Sequence, residues 1–157
     1  MTAQKTFYLT KQGLKELEQE QVKLKEQRRL KLGKETPSVL SSEELNTEFV
    51  SFREELDYLD VRLEELDCIL KNYQLIALPA KKDRNKISLG AEVVMDVNGA
   101  TNIFQLVGTL EANPSLGKIS NESPVGIALL GCQAGDTVVI TVPKRKVYRI
   151  KKVNYQN

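Results

Sequence analysis

Histidine is absent from this 157-residue chain, and cysteine nearly so, at only Cys68 and Cys132. Without imidazole there is no Ser-His-Asp or Cys-His nucleophile, no His general base and no His-ligated zinc. Two cysteines make neither a zinc site nor a disulfide framework. No apolar run approaches the ~20 residues of a membrane span, and no apolar core follows the opening Met1-Thr2-Ala3-Gln4-Lys5. A cytoplasmic chain in a reduced compartment, without membrane contact, is expected. An excess of one charge is lacking too: 23 Lys+Arg face 21 Asp+Glu, a net of +2. That balance implies neither a polyanion-wrapping protein nor an acidic tail. Gly-rich phosphate loops, HExxH and EF-hand patterns are also missing.

What is present divides in two. Residues 1–78 hold 12 basic and 15 acidic side chains; residues 79–157 hold 11 and 6, with most of the Pro and Gly. Pro79 and the polar run to Asn85 read as a linker, so the expected domains are 1–78 and 79–157. In the first, Leu45, Phe49, Phe52, Leu56, Leu59, Leu63, Leu66, Leu70 and Tyr73 are spaced alternately four and three apart. That is a coiled-coil seam. Ser41 and Glu44 have capping-box spacing at its start, with Leu40 and Leu45 at the staple positions. An earlier helix is expected after Thr10, running toward Leu32 and stopping at Gly33. Its seam is weaker: Leu14, Leu17, Gln21 and Leu24 keep the spacing, but the charged Arg28 and Lys31 follow. This helix is basic where the next is acidic, so the two should pair as an antiparallel hairpin over about 11–76. Phe7, Tyr8 and Leu9, or the second domain, would cover the far end of the seam.

The second domain reads as strands with one short helix, giving an α+β chain. Ile87–Val97 and Ile103–Leu110 flank the hairpin-type pair Asn98-Gly99. Thr137–Val142 and Val147–Val153 form a second pair about Pro143-Lys144-Arg145-Lys146. Between them Ser123 as N-cap, Pro124 at N1 and Gly131 at the end delimit a helix of two turns. The basic clusters Lys81-Lys82-Arg84-Lys86 and Lys144-Arg145-Lys146, with Arg149, Lys151 and Lys152, fit either a solvated face or phosphate contacts.

Four segments, in order, resemble the Gre family of bacterial transcript-cleavage factors. Tyr8-Leu9-Thr10-Lys11-Gln12-Gly13-Leu14-Lys15-Glu16-Leu17 is similar to the family's opening. Asn46-Thr47-Glu48-Phe49 is similar to its Asn-x-Glu-Tyr beyond the hairpin tip. Ser123-Pro124-Val125 through Ala128-Leu129-Leu130-Gly131, followed by Gly135-Asp136, matches its most specific segment. Ile150-Lys151-Lys152-Val153-Asn154-Tyr155 matches its close. The resemblance implies a coiled-coil hairpin and an FKBP-like globular domain without isomerase activity. It implies docking of that domain at the rim of the bacterial RNA polymerase secondary channel through Glu122, Ser123 and Pro124. The hairpin would then reach the active centre and the RNA 3′ end. The factor is expected to be a monomer when free and not itself an enzyme. It would bind no cofactor alone, and Mg²⁺ belongs to the polymerase centre.

The family's tip carries an Asp and a Glu three residues apart, and these positions fall here on Ser42 and Leu45. Glu43 and Glu44 stand beside them as candidate tip acids, with Asn46 and Glu48 in the tip motif. Adjacent helical residues point about 100° apart, which makes joint chelation awkward. Three functions follow: a secondary-channel elongation factor that regulates polymerase, with or without stimulating Mg²⁺-dependent cleavage of backtracked RNA; a Gre-like inhibitor without cleavage; or a coiled-coil adaptor whose basic domain binds nucleic acid.

Overall fold

The computed structural model describes residues 5–34, 47–141 and 143–156. Ser41, Ser42, Glu43, Glu44, Leu45 and Asn46 therefore lie outside the described residues, as do the expected capping box and staple. The chain forms two compact units, Leu14–Asn72, and Met1–Gly13 together with Tyr73–Asn157. Strands β1 (Phe7–Leu9) and β2 (Tyr73–Leu75) pair in parallel, Phe7 with Tyr73 and Leu9 with Leu75. Both precede the sequence boundary at 78/79, yet both belong to the unit that contains the C-terminal sheet.

The helical unit is built from α1 (Lys11–Gly33) and α2 (Thr47–Lys71). Along α2 the seam residues Phe49, Phe52, Leu56, Leu59, Leu63, Leu66 and Leu70 are buried or half-buried, while Val50, Tyr58 and Val61 are exposed. Ile69, which lies off the repeat, is buried as well, but burial along most of the helix follows position in the repeat. On α1 the same holds for Leu14, Leu17, Gln21, Leu24, Arg28 and Lys31.

Polar groups complete that stripe. Glu20 pairs with Arg62 at 2.7 Å, Gln21 donates to Asp67, Arg28 donates to Asp60, and Lys31 pairs with Glu55. Lower numbers on one helix meet higher numbers on the other, so the helices run antiparallel. Lys31 also stands over the Phe52 ring, 5.4 Å from its centroid, so its stem covers apolar surface while its ammonium stays polar. The Arg62 guanidinium is held further above its ordinary range by hydrogen bonds to Glu20 and then Glu65.

The ninth seam position is a correction. Tyr73 is not helical: α2 stops at Lys71, and Asn72 turns the chain, its side-chain amide donating to the Cys68 carbonyl at 2.8 Å. Tyr73 then enters β2, where β1 supplies ladder partners that a continued helix would not need. Period alone does not tell a seam residue from a strand residue that happens to fall in step.

The sheet of the other unit has the order β5-β4-β3-β7-β6, from β3 (Ala91–Val97), β4 (Ala100–Val107), β5 (Lys118–Ser120), β6 (Thr137–Ile140) and β7 (Lys146–Tyr155). All neighbours are antiparallel except β4 and β5. Asn98 and Gly99 turn between β3 and β4 with φ of 50° and 90°, the left-handed pair that a two-residue hairpin needs. The first strand begins four residues later than its β-rich sequence suggests. Ile87 instead exchanges backbone bonds with Gly131 and Cys132, and Gly90, at φ 87°, turns the chain into the strand. One face of the sheet holds the core of Ala91, Val93, Met95, Leu106, Ile140, Tyr148 and Ile150, closed by Ile87 and by Leu129 of α3 (Pro124–Leu129). Tyr155 ties the last strand down: its hydroxyl donates to the Lys86 carbonyl and accepts from the Ser88 amide. Among the described residues no helix is long and apolar enough to cross a membrane.

Candidate functional site

Residues 120–126 form a closely bonded loop of the globular unit. Ser123 caps α3, its hydroxyl accepting from the Gly126 amide at 3.0 Å and donating to the Ser120 carbonyl at 2.7 Å. Pro124 occupies the first helical turn, where its missing N–H costs nothing and its ring fixes φ. Gly126 is required for a different reason. A Cβ there would stand 1.9 Å from the Ser120 carbonyl oxygen, so this close approach of loop and helix admits no side chain.

Glu122 and Pro124 are exposed beside this frame, whereas Ser123 is half-buried. The Glu122 carboxylate accepts from the Thr109 hydroxyl at 2.8 Å, and its own amide donates to Ser120 Oγ at 3.1 Å. Thr109 and Ser120 are themselves 3.1 Å apart through their oxygens. A short hydroxyl chain thus holds one outward carboxylate in place, leaving the rest of its acceptor capacity for another molecule. A cavity of about 40 Å³ adjoins it, lined by Lys5, Thr6, Phe7, Tyr8, Thr109, Leu110, Asn121 and Glu122. Of the predicted contact residues, the structure brings Glu122 and Pro124 to the surface and gives Ser123 the work of fixing the loop.

The same region explains the Leu-Thr-x-x-Gly opening. Thr10 Oγ1 accepts from the Gly13 amide at 3.0 Å and caps α1. Glu111 reaches back from the turn after β4, accepting from the Thr10 amide at 2.7 Å and from its hydroxyl at 2.5 Å. A Cβ on Gly13 would lie 2.3 Å from the Glu111 carboxyl carbon. One on Gly108 would lie 2.1 Å from the Tyr8 carbonyl oxygen. Thr109, Gly126 and Glu111 carry no local signal in the sequence, because each acts on a residue distant in the chain or through an absent side chain.

Glu48 is exposed in the first turn of α2. Among the described residues no group of three or more His, Cys, Asp or Glu could hold a metal ion. Cys68 is exposed, and Cys132 is half-buried, with its thiol 3.4 Å from the Ala128 carbonyl. Burial pushes the Cys132 thiol up from its ordinary range, and Asp136 adds to this.

The fold and the loop define an α+β chain with two antiparallel helices and a sheet unit carrying one capped, glycine-locked helix. Residues 81–155 match the family model described as transcription elongation factor, GreA/GreB, C-terminal. A transcription elongation factor GreA of Thermomicrobium roseum is 33% identical over 143 residues, covering 90% of this chain and 92% of the relative. That of Acetivibrio thermocellus is 36% identical over 160 residues, covering 97% and 100%. The crystal structure of GreA factor homolog 1 of Thermus thermophilus is 24% identical, with a TM-score of 0.42 over 96% of this chain and 99% of that one. The chain belongs to the GreA/GreB family of transcription elongation factors.

Proposed function

We propose that this elongation factor binds bacterial RNA polymerase at the rim of its secondary channel through Glu122 and Pro124. The observation that carries the reading is the outward Glu122 carboxylate, fixed by Thr109 and Ser120 on a loop that Ser123 and Gly126 make rigid. A preorganised charge loses little freedom on binding and selects a basic partner. The helices α1 and α2 would form the coiled-coil hairpin that enters the channel toward the RNA 3′ end, and the sheet unit would be FKBP-like in fold. The factor acts through the polymerase and is not itself an enzyme.

The tip decides the outcome. Ser42 offers a hydroxyl and Leu45 an alkyl chain, and that pair does not make a Mg²⁺ site, which calls for hard carboxylate oxygens. Occupancy of the channel, with inhibition or altered pausing, is therefore favoured over stimulated cleavage. The test is transcript release from backtracked elongation complexes in Mg²⁺ with this protein added. Weak or absent release together with altered elongation is expected. Robust release that vanishes in Glu43→Ala or Glu44→Ala, with binding intact, would instead assign the cleavage role to those acids.

A further inference from the structure

The face of the sheet opposite the core has a charge pattern that polymerase docking at Glu122 does not use. Register places Thr137, Arg149, Asp96 and Thr101 in one row across β6, β7, β3 and β4, and Lys152, Val94 and Ile103 in the next. The pairing of β3 with β7 shifts between Val94 and Met95, so that Lys151 is the extra residue of a β-bulge. A bulge allows successive side chains to share a face. Lys151 does so: its ammonium donates to Thr101 at 3.0 Å and stands 4.0 Å from Asp96. One irregularity thus gathers Arg149, Lys151 and Lys152 on the outer face.

Lys151 is partly neutralised there, but Arg149 and Lys152 are exposed and have no ion pair or hydrogen bond among the described residues. The same holds for Lys144 and Arg145 in the turn that feeds β7, whereas Lys146 opens the strand opposite the core residue Ile140. Of the six acids in residues 79–157, Glu111, Glu122 and Asp136 are engaged with Thr10, Thr109 and the Gln133 amide. Only Glu92 and Asp96 lie in the outer rows. In the helical unit, by contrast, Arg28, Lys31 and Arg62 all have carboxylate partners.

We infer that this outer face, through Arg149, Lys152 and the adjoining Lys144-Arg145 turn, binds the phosphate backbone of nucleic acid. Arg149 and Lys152 lie roughly 10 Å apart along the strand, at about 3.3 Å per residue. No aromatic side chain occupies the outer rows, so bases cannot stack and binding is independent of sequence. An acidic protein fits less well. The exposed apolar residues of the face, Ile103 and Val139, are three strands apart, roughly 14 Å at 4.7–4.9 Å per strand. They form no continuous patch for a protein core contact.

The test is fluorescence anisotropy of the full chain with a labelled mixed-sequence 30-base-pair duplex, titrated with salt. Binding in the range of about 10⁻⁴–10⁻⁶ M is expected, falling linearly with log[salt]. Arg149→Gln with Lys152→Gln should lower the slope by about two units, one per phosphate contact. Lys81→Gln with Lys82→Gln, and Glu122→Lys, should leave the slope unchanged. The last variant separates this face from the proposed polymerase contact. Equal loss in the Lys81/Lys82 variant, an unchanged slope in the Arg149/Lys152 variant, or equally tight capture of a poly-glutamate peptide would each overturn the inference. Absence of duplex binding at 50 mM salt would do so as well.

Discussion

Replacing Gly126 by alanine sets two effects of opposite sign against each other. Alanine is the better helix former by about 1 kcal/mol, and Gly126 lies inside α3, where that gain would normally apply. Against it stands the new Cβ, 1.9 Å from the Ser120 carbonyl oxygen, 2.9 Å from its carbonyl carbon and 3.1 Å from Asn121 Cα. These are backbone atoms, so no side-chain rotation relieves the contact. The loop must move by more than an ångström to reach an ordinary separation. That motion disrupts the Ser123 cap and its bond to Ser120. Overpacking of this kind costs about 1–3 kcal/mol, and loss of an N-cap about 1 kcal/mol more. The net expectation is a destabilisation of about 2 kcal/mol. In a unit of about 100 residues that corresponds to a fall in Tm of roughly 10 °C. Thermal unfolding followed by circular dichroism reads this directly, with Ser123→Ala as the smaller reference perturbation. A Gly126→Ala protein as stable as the parent, or more so, would refute the close approach as the reason for this glycine.

Other perturbations have separate readouts. Ser123→Ala should cost about 1 kcal/mol, read as a lower midpoint in urea, and Glu122→Ala should leave that midpoint almost unchanged. Glu111→Ala leaves the Thr10 amide without its charged acceptor and should destabilise by about 1.5–3 kcal/mol, whereas Lys118→Ala should be near neutral. Arg62→Ala removes two ion pairs from a partly exposed site, worth at most about 1 kcal/mol each, and the effect should shrink in 1 M salt. Cys68 should be alkylated well before Cys132 at pH 8, because the raised thiol of Cys132 carries less thiolate; mass spectrometry of partially modified protein gives the order.

The helical half was legible because its physics is periodic. Seam residues from Phe49 to Leu70 show themselves by spacing, and the reversed charges of α1 and α2 foretell the ion pairs between them. The hairpin turn at Asn98-Gly99 and the cap at Ser123-Pro124 were legible because each is a local signal of few residues. Strands β1, β2 and β5 were not. Each has three residues, too short for alternation, and each exists because a distant segment offers a ladder. Tyr73 shows the cost of relying on period, since it kept the heptad spacing and still left the helix. At the site, sequence pointed to Glu122, Ser123 and Pro124, but it did not separate the outward pair from the framing serine. That distinction comes from Thr109, Ser120 and Gly126, whose effects need the folded chain. The outer basic face was foreshadowed by the charge of residues 79–157, while its clustering depends on a bulge that no motif announces.

Binding of the full chain to core bacterial RNA polymerase, with and without Glu122→Lys, tests the central proposal most directly. Biolayer interferometry at fixed salt measures it, with Lys81→Glu as a charge control. Saturable binding of the parent, lost at least tenfold in Glu122→Lys and retained in Lys81→Glu, is expected. Equal affinity of Glu122→Lys and the parent, at unchanged stability, would contradict docking through this loop.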